Sequence, residues 1–512
     1  MRLNVRKNTK RGIAFGFLYR LAATLLPFVV QTVIVRQLGI DYLGVRGLFS
    51  SILTVFNLAE LGFSGVLVFS MYKPIAGDDT ETLCAYLNLY KKIYRIIGFV
   101  ILAFSIAALP FLPHFVKGTY PDGLNIYAVF LLYSAQTVFS YWLYAYKASL
   151  LQAYQRTDIV SLVGMVVMFL TNITQIVILY LLRNYYLFLA TSVLFTVLNN
   201  LLISSIVDRM YPEIKCKGNL NGEQLKQIKK GVAGLFIGKI CATTRNTFDI
   251  IFVSVFIGLA EAGIYSNYYY ILVAASSFMT IITSSLLAGV GNNIVLDSVE
   301  KNRKEMMTIN AVYLVLSGWI ASFMMCLYQP FMTLWMGTEY LFQDQIVVLF
   351  PLYFYVQKMG DIRGVYSDAA GLFWENRWRT LAEAIANIVL NYLFIKFFGV
   401  FGIVLATILT LFFFGFLGST YVIFQHYFKT GIKYYLISEL KYLIVAVVVC
   451  GLSYFLCSLI MNESEYLLLL FRGIVCLIVP PGVYYLLLHK DQEFIEGKRW
   501  LHHAIVTGRH NG

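Results

Sequence analysis

The segment GKICATTRNTFDIIFVSVFIG, residues 238–258, has the length and apolar content of a membrane span, yet it carries Lys239, Arg245 and Asp249. A charge at the bilayer centre costs at least about 2.5–3.5 kcal/mol, so a chain keeps one only where it meets protein or water. Whether the segment spans a membrane, and what keeps its charges wet, decides the fold.

The rest of the chain answers the first point. Of 512 residues, 59% are hydrophobic, 16% aromatic and only 13% charged, far from the balance of a soluble domain. Apolar runs of the roughly 20 residues needed to cross about 30 Å of hydrocarbon recur from end to end. They predict an all-α, polytopic membrane protein with about fourteen transmembrane helices. The first six begin near Gly12, Gly47, Ile93, Tyr127, Ile159 and Tyr186, and eight more near Val232, Tyr265, Thr308, Ile346, Arg379, Ile403, Lys441 and Tyr466. The bulk of the 40 Lys and Arg fall in connections on one side, in clusters such as Arg2, Arg6, Lys7, Lys10 and Arg11 or Lys215, Lys217, Lys226, Lys229 and Lys230. Positive charge is retained in the cytoplasm, which predicts cytoplasmic N- and C-termini. The net charge of +13 then reports topology, and nucleic acid is not expected as a partner.

A repeat organises these spans. VIVRQLGIDYLGVRGL (33–48) lines up with VSVFIGLAEAGIYSNY (253–268), placing Gly39 on Gly258, Gly44 on Gly263 and Val45 on Ile264. The same register sets Arg20 on Lys239. The expected plan is an N-lobe (1–207, spans one to six), a basic cytoplasmic linker (208–231) and a C-lobe (232–428, spans seven to twelve). Two further spans (429–490) and a cytoplasmic tail (491–512) follow. The end of the linker, GEQLKQIKKG, has the spacing of a short helix on the membrane surface.

Four cations lie in or beside spans: Arg20, Arg46, Lys239 and Arg245. Singly, Arg20 and Arg46 are within snorkelling reach of headgroups. Together, repeat-related cations would converge on a shared cavity and suit an anionic group such as a pyrophosphate. Arg245 and Asp249 share a helix face at i, i+4 and would partly neutralise each other. Lys358, Asp361 and Asp368 form a stripe in the tenth span, with Arg363 off it. Glu60, Asp249 and Asp361 are the candidates for ion coupling, and Pro27, midway along the first span, is a candidate hinge.

Other chemistry finds no foothold in the motifs. GLFIGK at Gly234 is one residue short of a phosphate loop and continues with Ile240. The seven cysteines make no CxxC pair and the six histidines have no metal-ligand spacing, so neither a metal nor a cofactor is expected.

IVRQLGIDYLGVRGLFSSILTVFNLAELGFSGVL (34–67) resembles the opening of bacterial Wzx-type O-antigen and capsule flippases, polysaccharide-biosynthesis proteins of the multidrug/oligosaccharidyl-lipid/polysaccharide (MOP) exporter superfamily. FDIIFVSVFIGLAEAGIYSNYYYIL (248–272) is similar to their second half. The resemblance implies two pseudo-symmetric six-helix lobes around a central cavity, plus two extra C-terminal helices. It implies a transporter, not an enzyme, of the bacterial cytoplasmic membrane. The substrate would be undecaprenyl-pyrophosphate-linked oligosaccharide, flipped to the outer leaflet by alternating access. Arg20, Arg46, Lys239 and Arg245 match cavity cations of related lipid-linked precursor flippases. The implied partners are the lipid bilayer, a polymerase and other polysaccharide-assembly proteins, and the drive would be membrane potential, H+ or Na+. The alternatives are a cation-coupled multidrug exporter of the same superfamily, which should favour cavity acids over bases, and a membrane polymerase or ligase, which should carry a large outward loop.

Overall fold

The computed structural model describes the backbone of residues 5–60, 63–118, 120–460 and 464–510. Within these, side chains are described except at 5–14, 58–59, 227, 229–231, 233–242, 244–246, 288 and 503–510. The chain is all-α, with no strand among the described residues. Nine described helices are long and apolar enough to cross a membrane, or ten if one bent pair is a single span. This is the architecture of a multi-pass membrane protein.

The chain divides into two compact units, Met1–Gly263 and Ile264–Gly512. The first holds α1 (Val5–Leu38), α2 (Ile40–Phe56), α3 (Phe63–Ala76), α4 (Thr80–Ala108), α5 (Ile126–Trp142), α6 (Tyr146–Ala153), α7 (Thr157–Leu182), α8 (Tyr185–Met210) and α9 (Gly222–Phe256). Here α1 lies along α7, α5 packs between α4 and α8, and α2 packs on α9. Side-chain caps fix where the helices begin: Asp79 accepts from the Thr82 N–H, Asn125 from Tyr127 and Ala128, and Asn184 from Leu187. The stretch GEQLKQIKKG does not form a separate surface helix. Asn221 and Gln224 make a capping box, and the helix they start runs on through residue 256, because Gly231 lowers helix propensity without removing a backbone hydrogen bond.

α10 (Leu259–Leu296) joins the units in sequence, and the second unit continues with α11 (Val299–Met336), α12 (Asp344–Val347), α13 (Leu349–Lys358), α14 (Asp361–Ala369), α15 (Arg377–Thr410), α16 (Ser419–Ile423), α17 (Lys433–Ser458), α18 (Glu465–Leu488) and α19 (Gln492–His510). α11 is its hub, touching α13, α17, α18 and α19. Residues 377–428 form a helical stretch of 52 residues, which at 1.5 Å per residue would be about 78 Å long, more than two membrane thicknesses. Gly399, at φ 56° and ψ −135°, divides it, as the separate spans expected at Arg379 and Ile403 require.

The repeat is visible in the backbone. Gly39 (φ 106°) and Gly258 (φ 153°) both break the chain between a long first helix and its successor, in a region that favours glycine. Gly44 and Gly263 then allow a reciprocal close contact. A Cβ on Gly44 would sit 2.0 Å from the Leu259 carbonyl oxygen, and one on Gly263 would sit 2.7 Å from that of Ile40. Ile40 and Leu259 each open their helix, so equivalent residues contact each other's equivalents.

Besides the bent α5–α6 pair, two expected spans that carry candidate acids are interrupted. The second is α2 and α3, with a tighter turn at 57–60 after α2, and the tenth is α12 to α14, with a turn at Met359 and Gly360.

Candidate functional site

Inside the first unit is a polar cavity of about 740 Å³. Its walls come from α2, α5, α7 and α8, with Tyr19 of α1 at one side. Each helix contributes an amide or hydroxyl on a face that could otherwise have been apolar: Ser50 and Thr54, Gln136 and Thr137, Asn172 and Gln175, Asn199 and Asn200. Some of these are satisfied locally, as where Gln175 donates to Ser192 Oγ at 2.7 Å. Others are not. Among the described residues, the buried Oδ1 atoms of Asn57 and Asn199 have no hydrogen-bond partner, and neither does Nη1 of Arg46.

Arg46 is the cation of this wall. Its guanidinium lies within electrostatic reach of Tyr133 and Tyr185, whose hydroxyls share a hydrogen bond of 2.9 Å. Lys147 in the same unit shows what a neutralised cation looks like: it donates to Asp208 at 2.6 Å and to Ser204 at 2.8 Å. A guanidinium with an open donor in a polar cavity is a site for an anion, because it always carries charge and offers a planar fork matched to phosphate or carboxylate oxygens.

Glu60 sits at the interruption of the second span. Tyr94 of α4 donates to its Oε1 and Tyr141 of α5 to its Oε2, each at 2.8 Å, and the Tyr90 and Tyr94 hydroxyls meet at 3.2 Å. No cation pairs with Glu60 among the described residues. The three phenols are otherwise embedded in the apolar core of α3, α4 and α6. Such a carboxylate has its lone pairs partly satisfied and no cationic partner among the described residues, an arrangement that could hold a small cation.

At the interruption of the tenth span, Lys358 donates to Asp361 at 2.9 Å and Tyr313 donates to the same carboxylate at 2.6 Å. Arg363 does point elsewhere. It is buried, donating to the carbonyls of Phe416 (2.5 Å) and Gly415 (3.2 Å) and to Thr420. Those carbonyls are within reach because residues 411–418 are wound more loosely than an α-helix. Asp249 is fully buried on α9 and has polar interactions of its own.

Of the four candidate cations, Arg46 lines the cavity. Arg20 is exposed on α1 and is not among the lining residues. The side chains of Lys239 and Arg245 lie outside those described. Pro27 lies within α1, which stays helical on both sides of it. Sequence reasoning overlooked the tyrosines around Glu60 and the amides of the cavity. It also overlooked Glu439 of α17, which is buried and accepts from Asn310 at 2.8 Å.

No protein-family model matches the chain, and no curated protein matches it. Solved structures do. A lipid II flippase, MurJ in an inward closed conformation, superposes with a TM-score of 0.68 at 15% identity, covering 93% of this chain and 99% of that one. The fold is shared. A point mutant of the Vibrio cholerae MATE transporter VcmN gives 0.57 at 14% identity over 84% of this chain and 100% of that one. An inward-facing multidrug-resistance MATE transporter of the MOP superfamily gives 0.55 at 14% identity, over 80% and 97%. The chain therefore has the fold of MOP-superfamily transporters.

Proposed function

We propose that the protein is a flippase that moves undecaprenyl-pyrophosphate-linked oligosaccharide from the cytoplasmic to the outer leaflet of a bacterial cytoplasmic membrane. The observation that carries the reading is Arg46, a cation whose buried Nη1 has no hydrogen-bond partner among the described residues, on the wall of a polar cavity of about 740 Å³. A pyrophosphate cannot cross about 30 Å of hydrocarbon unaided. It can rest on a guanidinium while sugars occupy the amide-lined space and the prenyl tail stays in lipid. Arg20, Lys239 and Arg245 would complete the path for the anion, and both termini would be cytoplasmic. The fold shared with a lipid II flippase supports this reading. A potential negative inside would assist export by about 2.3 kcal/mol per charge per 100 mV, and polymerase and other assembly proteins would take the product. The role is transport, with no bond made or broken.

A cation-coupled multidrug exporter is the second reading, and Glu60 is the feature that favours it, being an acid without a cationic partner among the described residues. The two readings separate on Arg46. In cells whose surface polymer depends on this protein, Arg46→Ala should abolish export at normal membrane abundance, while Arg46→Lys should retain part of it. Undiminished polymer from Arg46→Ala, together with drug efflux that depends on Glu60, would transfer the assignment to the exporter.

A further inference from the structure

Three cysteines far apart in sequence meet in the second unit. Cys326 of α11, Cys457 of α17 and Cys476 of α18 are buried, and their Sγ atoms all lie within 4.8 Å of one another. Phe323, Leu327 and Val475 pack around them. Besides one another, the thiols reach backbone carbonyls at long range, Cys457 that of Arg472 at 3.9 Å and Cys476 that of Ser322 at 3.8 Å. The Arg472 side chain lies within electrostatic reach of Cys457, and its buried Nε has no hydrogen-bond partner among the described residues. Packing alone does not explain this. A single buried thiol behaves as a small hydrophobe, but nothing in apolar packing requires three helices to aim sulfur at one point beside a guanidinium.

The geometry fits a cation. Metal–sulfur bonds to Zn2+ are about 2.3 Å, so three thiolates around one ion in a plane lie about 4.0 Å apart. Separations of at most 4.8 Å close to that with shifts of less than about 1 Å. The donors are sulfur only, which favours thiophilic ions over Mg2+ or Ca2+. Charge supplies the second constraint. Three thiolates, one divalent ion and the Arg472 guanidinium sum to zero, so the loaded site leaves no net charge within its apolar surroundings.

We propose that Cys326, Cys457 and Cys476 bind one divalent thiophilic d10 cation, Zn2+ or its analogue Cd2+, with Arg472 balancing the charge. Binding releases three thiol protons to solvent as three metal–sulfur bonds form. The site pins α17 and α18 to α11, and so acts as a structural staple on the last two spans, independent of the Arg46 cavity.

The test uses full-length protein purified in detergent under reducing conditions and titrated with Cd2+ alone. The expected result is one equivalent per chain, seen as thiolate-to-cadmium charge-transfer absorption. The band should persist in Cys450→Ser, whose thiol lies outside the trio, and vanish in the triple Cys326→Ser/Cys457→Ser/Cys476→Ser variant. Arg472→Gln should weaken the apparent affinity about 10- to 100-fold. Zn2+ should raise the melting temperature of the wild type but not of the triple variant. No band from folded wild-type protein, a band surviving in the triple variant, or two of the three thiols recovered as a disulfide would each overturn the proposal. The wild-type titration stands even if the triple variant fails to fold.

Discussion

Each unit has an interrupted apolar span with a carboxylate at the interruption, but the two carboxylates are completed differently. Glu60 in the first unit is held by two phenols, Tyr94 and Tyr141, with no paired cation among the described residues. Asp361 in the second is held by one phenol, Tyr313, and by Lys358, a cation only 4% exposed. Among the described residues the first has no cationic partner, and the second belongs to an ion pair. We propose that this difference separates a group that exchanges a small ion from one that holds the fold together.

Substitutions at the two carboxylates and at their phenol partners test this contrast. The largest effect should come from Asp361→Asn, which strands the Lys358 charge. We expect about 3 kcal/mol of lost stability, read as a lower denaturation midpoint in detergent, with transport per folded molecule unchanged. Adding Lys358→Met should restore most of the loss, because a neutral apolar replacement no longer buries an unpaired charge. If Asp361→Asn folds normally and transport still fails, Asp361 belongs with the coupling groups and the contrast collapses.

Glu60→Gln should do the opposite. The amide oxygen still accepts a phenol, so stability should change little, while ion-dependent transport should fall about 10- to 100-fold, the range of ordinary coupling energies. Measuring transport against pH and against Na+ in this variant identifies which ion the carboxylate takes. A Glu60→Gln protein that loses stability but keeps its ion dependence would make the two interruptions alike.

The smallest effects belong to the phenols. Tyr94→Phe and Tyr141→Phe each remove one hydrogen bond to Glu60 and should cost about 1 kcal/mol in stability, as Tyr313→Phe should at Asp361. Only the first two should also shift the ion dependence of transport. Equal shifts from all three would remove the distinction.

Much of this was legible in the sequence, for reasons that mark where it stopped. Span positions follow from apolar runs alone, and Gly39 with Gly258 announced the repeat because a left-handed break needs glycine wherever it occurs. The pairing of Lys358 with Asp361 was readable because i, i+3 neighbours share a helix face. Glu60 was recognisable as an isolated acid, but its partners lie 34 and 81 residues away, and no local pattern predicts them. The cavity escaped for a similar reason. Asn57, Asn172 and the Asn199–Asn200 pair are isolated amides within apolar stretches, and only the packing of α2, α7 and α8 brings them to one cavity. The interruption after Phe56 was hidden too, because the NLAE that follows lies in a run apolar enough to read as continuous helix.

Central to the proposed function is Arg46 holding a pyrophosphate. The direct measurement is reconstitution in proteoliposomes with an undecaprenyl-pyrophosphate-linked oligosaccharide, an imposed potential and a probe that reaches only the outer leaflet. Wild-type protein should expose the lipid to the probe faster than protein-free vesicles, and Arg46→Ala should reduce the rate to the protein-free level while remaining folded. Equal rates from wild type and Arg46→Ala, or no translocation by either, would contradict it.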